Sequence, residues 1–206
     1  DNKILAPKMY YQNYRMNYIE IQDFGNETIF KTLIKKKNKL YYFKKIIELL
    51  CKIQAIKDRN IENFKKKNYK IPQYRKETLI KEANLFCEWY VKLNVSKKNK
   101  FEFTKKYKII IKRLASNLKL KNNVFVHRDF HISNLMLVNN QIGVIDSQDA
   151  LIGNKAYDLA SLIDDVRFEN SENLKREIFN YYVKKNKISQ KNFFKNDFEI
   201  ITVLRN

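Results

Sequence analysis

Glycine is scarce: three in 206 residues, at Gly25, Gly143 and Gly153. Three glycines so placed cannot build a complete G-x-G-x-x-G fingerprint or a Walker A loop. Two cysteines, Cys51 and Cys87, exclude a four-cysteine zinc site and any disulfide framework. Two prolines leave little room for a Pro-rich linker. No stretch approaches the ~18–20 apolar residues of a transmembrane helix, and no signal peptide opens the chain. No membrane partner is expected, and a reduced, cytoplasmic compartment is. No G-x-S-x-G is present, so the nucleophile elbow of a Ser-His-Asp hydrolase is missing.

What is abundant is positive charge and apolar surface. The formal net charge is +20, with 44% hydrophobic and 14% aromatic residues. That apolar content suffices for a core. The charge admits a nucleic-acid partner. It also follows from composition alone, since Lys, Asn and Ile all have AT-rich codons. The basic runs Lys35–Lys37 and Lys65–Lys67 sit where solvated surface is expected, and the charge is diffuse. No specific nucleic-acid partner is expected.

The chain opens with strand character. Tyr18-Ile19-Glu20-Ile21 reads as a strand ended by the turn residues Asp23-Phe24-Gly25-Asn26. Helical periodicity follows. Phe43, Ile46, Ile47, Leu50 and Ile53 share one face. Residues 58–73 read as a Lys/Asn-rich connection. Leu79, Ile80, Ala83, Phe86, Cys87 and Tyr90 mark a second amphipathic helix, and Phe103, Tyr107, Ile110, Ile111, Leu114 and Leu118 a third. Val124-Phe125-Val126 is a short apolar run. Leu135–Val138 and Ile142–Ile145 read as two strands joined at Asn139-Asn140, a pair that tolerates positive φ. Helices are expected again over 156–168, 172–185 and 190–203. The fold class is α+β, mainly helical, with a small β-hairpin that carries the chemistry.

That chemistry lies in His127-Arg128-Asp129-Phe130-His131-Ile132-Ser133-Asn134 and in Asp146-Ser147-Gln148-Asp149. The first run matches the H-R-D-x-x-x-x-N loop of kinases. An Asp there accepts the proton of an attacking hydroxyl. A side-chain amide five residues on turns back toward a magnesium ion, and a second carboxylate reaches the same ion. With the turn at Asn139-Asn140, Asn134 faces Ile145 across the ladder, where antiparallel partners lie ~4.5–5.5 Å apart. Asn134 and Asp146 then share the open end of the hairpin, beside Asp129. His127 reads as a packing residue and His131 as a loop residue. The two alone lack the further soft ligands of a zinc site.

These motifs, with Asn134-Leu135-Met136, Gly143 through Ala150 and Tyr157-Asp158-Leu159-Ala160-Ser161-Leu162, resemble the aminoglycoside phosphotransferase/choline kinase-like superfamily. The nearest branch is the bacterial cell-wall amino-sugar kinases, which phosphorylate N-acetylmuramate and N-acetylglucosamine. The resemblance implies a protein-kinase-like C-terminal lobe over 27–206, with its catalytic loop and hairpin at 124–149. Residues 1–26 would be the end of an N-terminal lobe and a hinge. It implies ATP and Mg²⁺ as cofactors and a small-molecule acceptor. Asp129 would be the catalytic base, Asn134 and Asp146 the metal ligands, and Gln22, Asp23 and Phe24 the adenine contact. His127, Arg128 and Asp158 would support the catalytic loop. Trp89, Asp149 and Arg167 are substrate candidates, with core or surface roles as the alternative. Ser147 departs from the aromatic residue commoner at its position.

In this family a phosphate-covering loop and a strand lysine precede the hinge. Only 17 residues precede Tyr18, and Lys3 and Lys8 suit the lysine poorly. The chain reads as truncated at both ends. It is therefore expected not to act as a kinase alone, and its hinge strand is expected to lack sheet partners. Two readings from other classes stand beside this one: a catalytically inactive kinase-like binding module and a basic nucleic-acid-binding protein. The intact base and metal ligands argue against the first. The absence of any recognised module argues against the second.

Overall fold

The computed structural model describes residues 4–62 and 65–205; Lys3 lies outside them. Two strands, β1 (Met9–Asn13) and β2 (Tyr18–Ile21), open the chain as an antiparallel hairpin. The hinge strand therefore has a partner, contrary to the expectation that it would be unpaired. Both strands remain exposed along almost their whole length.

Helices α1 (Ile29–Lys35) and α2 (Lys39–Gln54) follow, capped by the Thr28 and Asn38 side chains. The predicted face of α2 is the centre of the core: Phe43, Ile46, Ile47 and Leu50 are sealed from solvent. It packs on β5 (Asn122–Val126) and on α7 (Glu172–Lys185). The 58–73 connection contains a small hairpin instead of a plain loop, β3 (Asn60–Glu62) with β4 (Asn68–Lys70).

The second helix is longer and less regular than its sequence suggests. Helix α3 (Lys76–Phe86) runs into a π-helical turn at Cys87–Val91 and the short α4 (Lys92–Asn94). The wider turn hands the buried place from Tyr90 to Val91. Ala83, Cys87 and Val91 face inward, while Phe86 and Tyr90 are exposed. Helix α5 (Lys97–Ser116) similarly buries Ile111 and Ala115 but leaves Phe103 and Ile110 outside.

Strand β5 pairs with β8 (Leu151–Asn154), a strand the sequence reading did not distinguish. Between them lies the hairpin β6 (Leu135–Val138) and β7 (Gln141–Val144). Its turn is Asn139-Asn140, with φ of +47° and +61°. Neighbouring chain widens this hairpin on both sides. Leu137 N–H donates to the Glu27 carbonyl at 2.8 Å, and Val144 N–H to that of Leu5 at 2.9 Å. The chain ends in α6 (Tyr157–Ile163), α7 and α8 (Lys191–Arg205). Among the described residues no helix is long and apolar enough to cross a membrane. The runs at 35–37 and 65–67 lie on the surface.

Candidate active site

The loop leaving β5 is held from below by one side chain. Asp158, in the first turn of α6, is fully buried. Its Oδ2 accepts the His127 N–H at 2.8 Å, and its Oδ1 the Arg128 N–H at 3.0 Å. Burial pushes this carboxyl up to about 7, against the opposing effect of the two amides and of Arg205. Asp158 is itself placed by a second buried acid. Asp197 on α8 accepts from the Lys119 and Leu120 N–H groups and from Asn154 Nδ2. Asn154 Oδ1 in turn accepts the Ala156 N–H at the start of α6.

His127 turns inward, and its Nε2 donates to the Ile145 carbonyl at 3.0 Å. Burial lowers its pKa, so the ring is a neutral spacer between the loop and the end of β7. Arg128 has φ of +76° and Asp146 φ of +65°, left-handed conformations uncommon for such residues. Positive φ at Arg128 turns its side chain toward α3, where its guanidinium meets Glu82 at 2.7 Å. Glu82 also accepts the Tyr74 hydroxyl, and Tyr74 lies 3.4 Å from the Tyr157 hydroxyl.

Asn134 and Asp146 meet at the open end of the β6–β7 hairpin. Ile145 N–H donates to the Asn134 carbonyl at 3.1 Å, as the register requires. Asn134 Nδ2 donates to the Asp129 carbonyl at 3.1 Å and lies 3.5 Å from Asp146 Oδ2. Asp146 Oδ1 accepts from Gln148 at 2.6 Å. One carboxylate and one amide oxygen suit a hard cation whose other ligands are phosphate and water oxygens. Among the described residues no three His, Cys, Asp or Glu side chains group as an all-protein metal site.

A cleft of about 540 Å³ opens above this pair. Gln22, Asp23, Phe24 and Gly25 line one side, and Asn134, Met136, Ile145 and Asp146 the other. Asp23 Oδ1 accepts the Gly25 N–H at 2.7 Å, which closes the turn. The Phe24 ring packs against β7 at Gly143, which leaves room for it by having no Cβ. A Cβ would sit 2.7 Å from Phe24 Cε2.

The three substrate candidates do not gather in this cleft. Trp89 lines a second groove, on the π turn. Arg167 pairs with Asp165 at 2.8 Å. Asp149 is exposed and near enough to act electrostatically on Arg128. The sequence reading missed Glu82, Asn154 and Asp197. The periodicity of α8 offered a signal, since Asp197 falls three residues after Phe194 and four before Ile201, on the apolar stripe.

The chain is similar to known proteins in sequence and in fold. Over 167 residues the chain is 28% identical to the N-acetylmuramate/N-acetylglucosamine kinase of Neisseria meningitidis, covering 81% of this chain and 48% of that protein. It is 27% identical to the enzyme of the same name from Pseudomonas aeruginosa, over 87% and 50%. The chain thus spans about half the length of the curated relatives it matches. Its fold is shared with a gentamicin complex of APH(2″)-IIa, at TM-score 0.64 and 18% identity, over 96% of this chain and 64% of that one. A choline kinase from Cryptosporidium parvum aligns at TM-score 0.59 and 16% identity, over 98% and 65%. The model of the phosphotransferase enzyme family matches residues 14–188. That span takes in the His127–Asn134 loop, its hairpin and the Asp158 clamp, so the chain belongs to the phosphotransferase enzyme family.

Proposed function

We propose that this chain carries the catalytic lobe of an ATP-dependent kinase that transfers the γ-phosphoryl group to a hydroxyl of an amino sugar. Residues 1–26 form the hinge end and 27–206 the lobe. One observation carries the reading. The 540 Å³ cleft has Gln22–Phe24 on one side and the Asn134–Asp146 pair on the other. It thereby joins a surface for a planar base to oxygen donors for a phosphate-bound cation. Asp129 accepts the proton of the acceptor hydroxyl. Asn134 and Asp146 hold Mg²⁺, which supplies charge neutralisation on the phosphates. His127, Arg128 and Asp158 fix the loop that presents Asp129. The amino sugar is inferred from the names of the two relatives together with the shared motifs.

The deciding experiment is Asp129→Asn in the full-length protein. Nucleotide affinity by calorimetry should hold, while turnover with N-acetylmuramate or N-acetylglucosamine falls by about 10²–10⁴, the usual share of positioned proton transfer. Undiminished turnover would remove Asp129 from the mechanism. Turnover with aminoglycosides and no sugar would replace the acceptor.

A further inference from the structure

The backbone of Asp129 is held, and its side chain is not. Its carbonyl accepts from Asn134 Nδ2 and from the His131 N–H. Among the described residues no hydrogen bond or ion pair engages its carboxylate. Where that carboxylate points therefore depends on the backbone that carries it, beginning at Arg128, whose φ is +76°. A residue other than glycine keeps such a conformation only where its surroundings over-determine it. Arg128 is fixed at two points. Asp158 accepts its N–H from below. Glu82 on α3, 46 residues away in sequence, accepts from its guanidinium at 2.7 Å.

Glu82 is itself immobilised. It sits beside Leu79 and Ala83, both buried, at the edge of the inward face of α3. Its Oε1 faces Arg128, and its Oε2 accepts the Tyr74 hydroxyl. Tyr74 is buried. Its N–H donates to the Ile152 carbonyl at 2.8 Å, and its own carbonyl accepts from Asn122 Nδ2. Its ring meets that of Tyr157 edge-on at 5.1 Å. One oxygen of Glu82 is thus tied to the loop of Asp129 and the other to the β5–β8 pair. Both side chains of the Glu82–Arg128 pair are half-buried, a setting in which a charge-assisted hydrogen bond fixes geometry better than an exposed ion pair does.

We propose that Glu82 is a positioning residue for phosphoryl transfer: through Arg128 it holds the left-handed turn that presents Asp129, and Tyr74 keeps its carboxylate in place. The inference rests on the phosphotransferase reading and adds to it a residue from a helix outside the loop and its hairpin. Acting at one remove from the reacting groups, Glu82 affects their alignment and not the binding of either substrate. A displacement of about 1 Å at a reacting group costs on the order of 10²-fold in rate. An ion pair with a purely structural role has a different signature: its loss lowers stability, and the folded enzyme turns over as before.

The test is steady-state kinetics of the full-length protein with ATP and N-acetylmuramate or N-acetylglucosamine. Glu82→Gln keeps a partner for the Tyr74 hydroxyl and removes the charge that faces Arg128. It should lower kcat about tenfold or more, with KM for ATP and for the sugar within about twofold of the unsubstituted protein. Glu82→Asp, which keeps the charge on a shorter stem, should fall between the two. Arg128→Gln should lower kcat by a similar factor, and adding Glu82→Gln to it should change kcat little further, because both act through one contact. Thermal melting gives the folded fraction by which each kcat is corrected. Should Glu82→Gln not fold, a smaller loss of kcat at constant KM in Glu82→Asp decides the matter. Unchanged kcat, a rise in KM alone, or losses that multiply in the double variant would each overturn the assignment. Asp129→Asn in the same assay separates the two readings. Loss of turnover there, with full turnover in Glu82→Gln, withdraws only the role of Glu82. Undiminished turnover in Asp129→Asn removes the mechanism around Asp129, and the role of Glu82 with it.

Discussion

The β1–β2 and β6–β7 hairpins are nearly the same object locally: two short antiparallel strands and a tight turn. They differ in what surrounds them. Leu135, Met136, Gly143 and Val144 of the second are buried, and flanking chain at Leu5 and Glu27 completes its ladder. In the first, Tyr18, Ile19 and Ile21 stand about half exposed. A two-stranded hairpin alone is marginal in water. Tertiary burial therefore makes one of the two a rigid platform, and Asn134 and Asp146 are mounted on that one. The other touches the platform through the residues that follow it, chiefly Phe24 on Gly143.

Removing the brace beneath the platform should break this contrast most severely. Asp158→Ala leaves the His127 and Arg128 N–H groups buried and unpaired, and should cost about 3–5 kcal/mol in denaturant unfolding. Asp158 also gives the contrast a pH dependence. Its carboxyl ordinarily titrates at 3.8 and is pushed up to about 7 in the fold. The native state keeps a proton that the unfolded chain releases, so the contribution is full below about pH 4. It is lost as pH rises through 7. Unfolding curves between pH 4 and 8 should show a steeper fall for the unsubstituted chain than for Asp158→Asn.

A paired substitution sharpens the comparison. Leu135→Ala empties a sealed position and should cost about 3 kcal/mol. Ile19→Ala, at a side chain 53% exposed, should cost less than ~1 kcal/mol. Equal losses in the same unfolding assay would mean the hairpins are held alike. A further substitution tests the link between them. Gly143→Ala forces the Phe24 ring away and should cost about 1–2 kcal/mol of stability. ADP affinity should fall roughly three- to tenfold, by the ordinary conversion of about 1 kcal/mol. Unchanged ADP binding would detach Phe24 from the cleft.

Much of this was legible in the sequence, for identifiable reasons. The Asn139-Asn140 turn dictated its own geometry, and the register of β6 and β7 then placed Asn134 beside Asp146. The apolar stripe of α2 is long and strictly periodic, so its buried face was plain. Periodicity misled where the helix changes pitch. Tyr90 fits the α-helical face, but the π turn at Cys87–Val91 rotates it out and buries Val91 instead, while Phe86, the last residue of α3, is exposed ahead of the turn. The pairing of β8 with β5 joins segments 25 or more residues apart through Gly153 and Val126, and no local signal announces such a contact. Glu82 carried no local signal, because what engages it is the sequence-distant Arg128 and Tyr74, whereas Asp197 stood out only by its place on the apolar stripe of α8.

Arg128 and Asp146 hold left-handed backbone, and this sets two demands on the gene against each other. Glycine at either position would relieve about 1 kcal/mol of backbone strain, and a library sorted for soluble, folded protein would be free to drift that way. On the proposed kinase reading, a library sorted for phosphorylated product would not, because the guanidinium gripping Glu82 and the carboxylate beside Asn134 would vanish with the strain. On that reading the two residues mark where selection for durability and selection for turnover part company, and a stabilising redesign of this lobe should leave them untouched.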